Sequence, residues 1–244
     1  MAVLHKALFI LFFPLLTVAV SSLCWLTAGI GENARLAHWF ERQWARLALA
    51  LAGVRVKADL NALDPSQPYV FVANHQSHFD ILVLFATLKH WNVRFVAKEE
   101  LFKIPLFGHA MLRTGHIPIL RENSRKAMKS IDDAVEASRR GVSVLIFPEG
   151  TRSRDCSTLG DFKIGGMIMA LKCERPVAPV IVTGTMDVLK RGRKLPSPGE
   201  VRVTALAPFD PRQRFTIKKR EEFKGWLKDH METAYQERKR CRTA

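Results

Sequence analysis

The sequence predicts an α/β fold, with a largely parallel sheet flanked by helices, behind an N-terminal hydrophobic and amphipathic helical anchor. Three observations lead to this prediction. The 244 residues suffice for one α/β domain with a sizeable core and an appendage. The stretch Ala7–Gly31 contains no charged residue, and from Val54 onward strand-length apolar runs alternate with helix-length amphipathic ones. We therefore divide the chain into a helical segment, residues 1–52, and an α/β domain, residues 53–244.

The stretch Ala7–Gly31 is long enough to span a bilayer, since about 20 apolar residues suffice. Pro14 divides it, so the segment is a spanning helix, a kinked hairpin that enters one leaflet, or a cleaved signal peptide. If the segment spans the membrane, the residues that follow it are more basic than those that precede it, which include Lys6. Since the more basic flank of a spanning segment lies in the cytoplasm, the domain is then cytoplasmic. The basic residues after the segment are Arg35, Arg42, Arg46, Arg55 and Lys57. We expect a membrane-associated protein with its site on the cytoplasmic face, at the inner membrane if the chain is bacterial.

The next segment, Asn33–Leu51, has the pattern of a basic amphipathic helix. Its apolar positions fall within roughly 80° on a helical wheel, and three arginines lie on the opposite side. The apolar positions are Leu36, Phe40, Trp44, Leu47 and Leu51, and the arginines are Arg35, Arg42 and Arg46. A basic helix with tryptophans that follows an apolar segment is typical of a membrane interface. The alternative is that its apolar face packs on the domain.

Seven short runs rich in valine, isoleucine and other apolar residues predict the strands of the sheet. In chain order they are Val54–Ala58, Val70–Ala73, Val93–Ala97, His116–Leu120, Val142–Phe147, Val177–Thr183 and Val201–Leu206. Pro65 and Pro68 mark a loop between the first two strands. The basic, proline-containing stretch Thr183–Gly199 predicts an exposed loop between the last two.

Five stretches predict the helices of the domain. In chain order they are Phe79–Leu88, Leu101–Leu112, Glu122–Arg140, Gly165–Cys173 and Lys218–Arg238. Ser77 is a suitable N-cap for the first, Pro105 makes the second irregular, and Gly141 ends the third. The last carries its apolar residues at helical spacing within a charged sequence.

An imidazole and a carboxylate follow the second predicted strand. His75 and Asp80 are five residues apart, and on a continuous helix they would point about 140° apart. They meet only if His75 lies in a loop and the helix begins near Ser77. The pair is then a general base with an orienting carboxylate and without a nucleophile of its own. The alternatives are a structural or capping pair and, together with His78, a metal site, although the spacing fits no common zinc pattern.

A second polar cluster follows the strand Val142–Phe147. Glu149, Gly150, Thr151 and Arg152 lie in the turn after it. Gly150 allows close approach of the backbone to a ligand, Thr151 offers a hydroxyl, and the planar guanidinium of Arg152 suits phosphate oxygens. Ligands of α/β sheets bind beyond the carboxyl ends of the strands, so this turn and the preceding pair are expected to face one cleft.

The composition restricts the partner and the chemistry. Thirty-eight basic and 23 acidic residues give a net charge of +15, which indicates an anionic partner. The sequence contains no Walker loop, no G-x-G-x-x-G and no G-x-S-x-G, so nucleotide hydrolysis, hydride transfer and serine catalysis have no support. The cysteines show no paired spacing and predict reduced thiols. They are Cys24, Cys156, Cys173 and Cys241.

Four blocks of sequence, in this order along the chain, resemble the glycerolipid acyltransferases, and most closely the 1-acyl-glycerol-3-phosphate (lysophosphatidic acid) acyltransferases. The blocks are Asn74–Asp80 (NHQSHFD), Gly115–Arg121 (GHIPILR), Phe147–Ser153 (FPEGTRS) and Val177–Ile181 (VAPVI). The resemblance covers the chain from about Val70 to Thr183, nearly half of it. The second block departs at Leu120, where many members have an aspartate, but Arg121 is kept.

The resemblance implies that His75 is the general base on the free hydroxyl of a lysophospholipid and that Asp80 orients its ring. The hydroxyl oxygen attacks the thioester of acyl-CoA or acyl-carrier protein directly, with oxyanion stabilisation by backbone amides. The product from 1-acyl-glycerol 3-phosphate is phosphatidic acid, and neither a metal nor a cofactor is implied. The resemblance also implies which residues bind the acceptor's phosphate, both in the turn after Val142–Phe147 and in neighbouring segments. These residues are Lys98, Arg121, Glu149, Gly150, Thr151 and Arg152.

Several alternatives remain open at this point. Glu149 could serve as an ion-pair partner of Arg152 instead of contacting substrate, and Lys98 could be a solvated surface lysine. The acceptor could be another lysophospholipid, a lyso-aminolipid or glycerol 3-phosphate. A membrane lipid-binding protein without activity is a further alternative, and the retained His75 and Asp80 argue against it. Nucleic-acid binding is suggested by charge alone, since no recognisable module accompanies the charge.

Overall fold

The computed structural model describes the backbone of residues 2–119 and 124–243 and the side chains of residues 3–119 and 128–240. The strands are β1 (Val54–Asp59), β2 (Val70–Ala73), β3 (Val93–Lys98), β4 (Ile117–Ile119), β5 (Ser143–Ile146), β6 (Val177–Thr183) and β7 (Gly199–Ala205). The helices are α1 (Ala2–Thr27), α2 (Arg35–Leu51), α3 (Phe79–Thr87), α4 (Glu99–Phe102), α5 (Phe107–Arg113), α6 (Ser124–Arg139), α7 (Ile164–Lys172), α8 (Thr185–Val188) and α9 (Arg220–Thr243).

The strands form one seven-stranded sheet in the order β1-β7-β6-β2-β5-β3-β4. Neighbouring strands are parallel except for β6 and β7, which pair antiparallel. The predicted class, a largely parallel sheet flanked by helices, is therefore confirmed. The order puts β6, β2, β5 and β3 side by side at the centre, so that the segments leaving their carboxyl ends meet at one edge of the sheet.

Both faces of the central strands are buried, which explains their uninterrupted apolar sequences. On β2, Phe71 and Ala73 belong to the core on one face of the sheet, and Val70 and Val72 belong to the core on the other. The first core includes residues of α1, α2 and α3, and the second includes residues of α6, α7 and α9. The sheet therefore lies between two helical layers.

The predicted elements agree with the structure in type, and their boundaries differ at a few places. The stretch Leu101–Leu112 is divided into α4 and α5 around Pro105, as that proline predicted. The prediction that Thr183–Gly199 is entirely an exposed loop was wrong, because it contains the short helix α8, and Thr185 and Val188 in it are buried. Leu120 and Glu122 lie outside the described residues.

The N-terminal helices pack against the domain. Helix α1 packs on α2 and on α5, and α2 packs on α3. Phe9 of α1 and Ala45, Ala48 and Leu49 of α2 are buried in the same core as the strands. Within the described residues one helix, Val3–Thr27, is long and apolar enough to cross a membrane. The division of the chain after residue 52 stays a prediction, since the two parts share a core.

The face of α2 that is buried differs from the apolar face that the helical wheel predicts. Its buried residues are Ala37, His38, Glu41, Ala45, Ala48 and Leu49, whereas Leu36 and Leu47 are exposed. Small alanines allow α1 and α3 to approach α2 closely, which large side chains would prevent. Trp44 and Leu51 are partly buried against the core. The predicted apolar face is thus divided between the domain and an exposed surface.

A buried carboxylate fastens α2 to the sheet. Glu41 Oε1 accepts a hydrogen bond from His116 Nε2 at 2.9 Å, and Glu41 Oε2 lies 3.1 Å from His38 Nδ1. His116 Nδ1 in turn accepts from the backbone N–H of Phe95 at 3.0 Å, which fixes its tautomer. Burial alone would raise the pKa of Glu41, but His116 and His38 outweigh it and hold that pKa well below its usual range.

Candidate active site

The chain leaves four adjacent strands at the same edge of the sheet, and each exit provides polar groups. His75 follows β2, the turn with Glu149 and Arg152 follows β5, Thr185 follows β6, and Lys98 ends β3. The sequence predicted that the first two of these exits face one cleft. The sheet order brings the residues after β6 and at the end of β3 to the same cleft, because these strands flank the β2–β5 pair.

His75 and Asp80 form the pair that the sequence predicted. The distance from His75 Nδ1 to Asp80 Oδ2 is 2.7 Å. Helix α3 begins at Phe79, so His75 lies in the loop before it. The prediction of Ser77 as the N-cap was wrong, because His78 occupies that position, although the hydroxyl of Ser77 accepts from the backbone N–H of Phe79 at 3.3 Å. Because a carboxylate only accepts hydrogen bonds, the ring proton lies on Nδ1 and the other nitrogen, Nε2, is left to accept a proton.

Asp80 is fully buried and its position is fixed by several donors. Its Oδ2 accepts from the backbone N–H groups of Gln76 and Ser77 at 2.6 and 2.8 Å, and its Oδ1 accepts from the hydroxyl of Thr185. The backbone N–H groups of the turn between His75 and α3 thus point at the carboxylate of Asp80. This arrangement holds the imidazole in a single orientation, which a general base requires.

The ring of His75 is also held from the side of β5. It stacks on the ring of Phe147, with the centroids 4.1 Å apart and the planes inclined by 20°. The backbone N–H of His75 donates to Glu149 Oε1 at 2.8 Å, and its carbonyl accepts from the N–H of Ser153 at 2.8 Å. The turns after β2 and β5 are therefore joined directly.

Glu149 supports the backbone of the site. Its two carboxylate oxygens accept from the backbone N–H groups of His75 and Gly160, each at 2.8 Å. A Cβ at Gly160 would come within 2.7 Å of Glu149 Oε2, so only glycine permits this approach. Burial raises the pKa of Glu149, while the two backbone N–H groups act in the opposite direction. Its oxygens are engaged with backbone rather than with Arg152, so the alternative of an ion pair to Arg152 was wrong. Direct contact of Glu149 with substrate stays a prediction.

The other predicted phosphate-binding residues lie around the same cavity as His75. Lys98, Gly150, Thr151 and Arg152 all line it, and Lys98 and Thr151 are exposed. Gly150 has φ = 73°, a conformation that glycine adopts without strain, and its N–H closes a turn onto the carbonyl of Phe147. Arg121 lies outside the described residues. Substrate binding by these residues stays a prediction.

A second arginine, which the sequence analysis did not propose for the site, stands beside Arg152. Arg191 lines the cavity and donates from Nη1 to the carbonyl of Arg152 at 3.3 Å. Partial burial, and next the charge of Arg191, lower the pKa of the Arg152 guanidinium. Two guanidinium groups near each other attract an anion more strongly than one.

The cavity has a volume of about 770 Å³, and its lining is mostly apolar. One face of α1 lines its length, with lining residues from Phe9 to Cys24. Fifteen helical residues correspond to about 22 Å. Phe9 lies next to Phe79, the first residue of α3 after the turn with His75, with ring centroids 6.0 Å apart, so the cavity leads from His75 toward Cys24. Half of a bilayer's hydrocarbon core is about 15 Å, so the cavity is long enough for the acyl chain of a membrane lipid.

Three further groups of the site were not predicted from the sequence. Thr185 holds Asp80, Phe147 stacks on His75, and Arg191 lies beside Arg152. Thr185 follows the buried strand β6, and the rule that ligands lie beyond strand ends offered a signal for it. Phe147 begins the block Phe147–Ser153 and Arg191 lies in the basic stretch Thr183–Gly199, but their contacts with the site join segments that are distant along the chain, which the local sequence does not show.

Two further kinds of reactive group are metal-ligating side chains and cysteine thiols. Within the described side chains no three or more His, Cys, Asp or Glu residues are placed to hold a metal ion. Cys24, Cys156 and Cys173 are buried and unpaired, and the side chain of Cys241 lies outside the described set. Burial raises the pKa of the Cys156 thiol to about 11 and that of Cys173 to about 12, so these thiols are protonated near neutral pH.

The fold and the site together define a class of protein: an α/β protein with a carboxylate-held imidazole, a cationic turn and a long apolar cavity, suited to moving a proton on an anionic lipid. The model of the Acyltransferase family matches residues 54–183, just over half of the chain. The chain therefore belongs to the Acyltransferase family.

The chain is also similar to several named proteins. A 1-acyl-sn-glycerol-3-phosphate acyltransferase from Chlamydomonas reinhardtii is 34% identical over 206 residues, covering 83% of this chain and 61% of the relative. The mouse 1-acyl-sn-glycerol-3-phosphate acyltransferase alpha is 34% identical over 161 residues, covering 65% of this chain and 56% of the relative. The chain thus spans between half and two thirds of the length of these relatives. The crystal structure of the 1-acyl-sn-glycerophosphate acyltransferase PlsC from Thermotoga maritima matches with a TM-score of 0.78 and 25% identity, covering 98% of this chain and 96% of that one.

Proposed function

We propose that this protein transfers an acyl chain from acyl-CoA or acyl-carrier protein to the free hydroxyl of 1-acyl-glycerol 3-phosphate, which gives phosphatidic acid. The observation that carries the proposal is the His75–Asp80 pair at the mouth of a long apolar cavity, beside Arg152. A base, an anion-binding cation and a chain-length cavity are what acyl transfer to a phosphorylated lipid needs. The names of the relatives in Chlamydomonas reinhardtii, mouse and Thermotoga maritima support the same acceptor.

The reaction follows from the free ring nitrogen of His75. Nε2 takes the proton of the acceptor's hydroxyl while the oxygen attacks the thioester carbonyl, and the buried carboxylate of Asp80 stabilises the resulting imidazolium. When the tetrahedral intermediate collapses, the C–S bond breaks and the thiolate takes the proton back from the ring. An ester and a free thiol result, and the imidazole is neutral again. The transfer consumes only the hydroxyl and the thioester, so we infer that the reaction needs no cofactor.

The two substrates occupy different parts of the cavity. The acceptor's phosphate lies at Arg152, with Lys98 and Thr151 nearby, because the planar guanidinium forms paired hydrogen bonds with phosphate oxygens. The acyl chain of the donor lies in the apolar interior along α1. The thioester carbonyl then lies at the boundary between the two regions, where His75 is.

The protein acts at a membrane surface. Of the 19 large apolar residues that are exposed among the described side chains, 14 lie between Val3 and Leu47. An apolar surface of this extent marks a membrane or partner interface. Because the opposite face of α1 packs on the domain, we infer that α1 and α2 attach the protein to one leaflet. The net charge of +15 favours the anionic cytoplasmic leaflet, where the acyl donors are.

The function is tested with purified protein, a labelled acyl thioester, and a panel of lyso acceptors with and without a phosphate. We expect transfer to 1-acyl-glycerol 3-phosphate and little transfer to a monoacylglycerol of the same chain length. In the variant Arg152→Ala the KM for the phosphorylated acceptor rises roughly tenfold to a hundredfold, because a charge-assisted pair with phosphate is lost. The KM for the donor stays within about twofold.

Arg154→Ala is the matched control for Arg152→Ala. Arg154 is exposed, two residues away, and does not line the cavity, so its loss removes the same charge without touching the site. A rise in KM confined to the donor would contradict phosphate capture by Arg152. Equal transfer to acceptors with and without a phosphate would contradict the proposed acceptor, and failure to consume any thioester would favour a lipid-binding protein.

Membrane attachment is tested on the exposed face of α1. Leu11, Leu15 and Val18 lie at helical spacing and are exposed by 60%, 62% and 57%. Replacing all three with glutamine should lower the partition into lipid vesicles by at least roughly a hundredfold, since each buried apolar side chain contributes about 1.5–3 kcal/mol. The control variant replaces Met128 and Ile217, which are exposed on other elements, with glutamine. An unchanged vesicle-bound fraction of the triple variant would put the attachment elsewhere.

A further inference from the structure

A second cavity, of about 510 Å³, adjoins the candidate active site and is lined by cationic side chains. These are Lys6, Lys190, Arg193 and Lys194. Lys194 also lines the large cavity that contains His75, so the two cavities meet at this residue. We call the second cavity the basic pocket. Three of its cations come from the stretch Thr183–Gly199, whose basic character the catalytic mechanism does not use.

The segment that provides these cations is fastened to the catalytic turn. The hydroxyl of Ser77 donates to the carbonyl of Leu189 at 2.8 Å, directly before the first basic residue of the segment. The hydroxyl of Thr185 donates to Asp80. A ligand bound by the segment is therefore held in a fixed relation to the base, His75.

The electrostatics of the basic pocket favour a polyanion. Lys6 is the only Lys, Arg, Asp or Glu of α1, and this otherwise apolar helix brings its charge to a place where three further cations converge. Asp187 provides the one carboxylate in the lining. Among the described residues none of the four cations takes part in an ion pair, unlike lysines and arginines elsewhere on the surface. Convergent positive charges repel one another, and a bound polyanion removes this repulsion.

We propose that the basic pocket binds the phosphates of the nucleotide part of an acyl-CoA donor, an inference that rests on the proposed acyl transfer. With the acyl chain in the apolar cavity and the thioester at His75, the rest of the donor extends beyond the large cavity, and Lys194, which lines both cavities, connects it to the basic pocket. Coenzyme A carries a diphosphate and a 3′-phosphate at that end. A concave pocket of this volume is large enough to hold a nucleotide.

The basic pocket is distinct from the phosphate site assigned to the acceptor. Arg152 lines only the large cavity, and Lys190 and Arg193 line only the basic pocket. The two anionic substrates would therefore be recognised by separate cations. This separation makes the proposal testable, because removing Lys190 and Arg193 should affect one substrate alone.

The experiment compares the full chain with the double variant Lys190→Ala/Arg193→Ala in a zwitterionic detergent. Both residues are exposed, so the fold should be kept. We expect the KM for acyl-CoA to rise roughly tenfold, with an unchanged KM for the acceptor. The KM for an acyl-pantetheine with the same chain, which lacks the nucleotide, should be unchanged. Calorimetry should show binding of adenosine 3′,5′-bisphosphate to the unaltered protein and a loss of at least tenfold in affinity for the double variant.

The control variant Lys218→Ala/Lys219→Ala removes two exposed cations that line neither cavity, and it should behave as the unaltered protein. The proposal is overturned if the double variant leaves the KM for acyl-CoA unchanged, or if the KM for acyl-pantetheine rises equally. It is also overturned if the variant loses only binding to anionic vesicles, which would make the pocket a lipid-headgroup site. If adenosine 3′,5′-bisphosphate binds through these residues but no lyso acceptor is acylated, the pocket is right and the proposed function is wrong.

Discussion

The variant His75→Ala is expected to lose acyl transfer, with a fall in kcat of roughly a thousandfold or more. A positioned general base contributes about 10²–10⁴ to a rate, and no other group on the described residues holds a free imidazole nitrogen against a buried carboxylate in this cavity. The KM values should change little, since substrate binding is assigned to other residues. The measurement is the release of thiol from the acyl thioester, followed together with the labelled lipid product.

The control for this variant is His109→Ala. His109 is exposed on α5 and does not line the cavity, so its loss removes an imidazole without affecting the site. Circular dichroism and the thermal midpoint should show that both variants keep the fold. If His75→Ala retained transfer within tenfold of the unaltered protein, the base would have to be another group and the proposed mechanism would be wrong.

The variant Asp80→Asn is expected to lower kcat by roughly a hundredfold with little change in KM. The amide oxygen of asparagine can replace Oδ2, which accepts from His75 Nδ1 and from two backbone N–H groups. Its amide nitrogen then occupies the place of Oδ1, beside Thr185, whose hydroxyl is able to accept instead of donate. The orientation of the ring is kept, and what is lost is the negative charge that stabilises the imidazolium.

This prediction separates the two contributions of the carboxylate. Asp80→Ala removes the charge and the orientation together and leaves buried backbone donors without partners, so its kcat and its stability should both be lower than those of Asp80→Asn. Asp229→Asn, on the exposed surface of α9, is the control for loss of a carboxylate. Equal kcat for Asp80→Asn and the unaltered protein would show that the charge has no part in the reaction.

The local sequence predicted the elements and the reactive pair because both depend on short-range interactions. Uninterrupted apolar runs such as Val70–Ala73 and Val177–Thr183 match β2 and β6 residue for residue. The contact between His75 and Asp80 needs only a helix that starts after the histidine, and the start predicted near Ser77 is close to the observed start at Phe79. The family resemblance, carried by the same segments, is confirmed by the match of the family model to residues 54–183.

The tertiary structure decided the groups that surround the pair. Thr185 reaches Asp80 across 105 positions of sequence, and the carboxylate of Glu149 reaches the backbone of His75 across 74. Such contacts depend on the strand order β6-β2-β5-β3, which no local periodicity encodes. The buried face of α2 is a further example, since a helical wheel records hydrophobicity but not the polar partners that bury Glu41.

The sequence by itself thus determined the class of fold, the contact between His75 and Asp80 and the cationic turn, because strand and helix periodicity and short turns are fixed by neighbouring residues. Only the tertiary structure decided what the pair faces: the apolar cavity along α1, the second arginine at position 191 and the basic pocket. The physical reason is that a cavity is enclosed by elements far apart along the chain, and its shape exists only when they pack together.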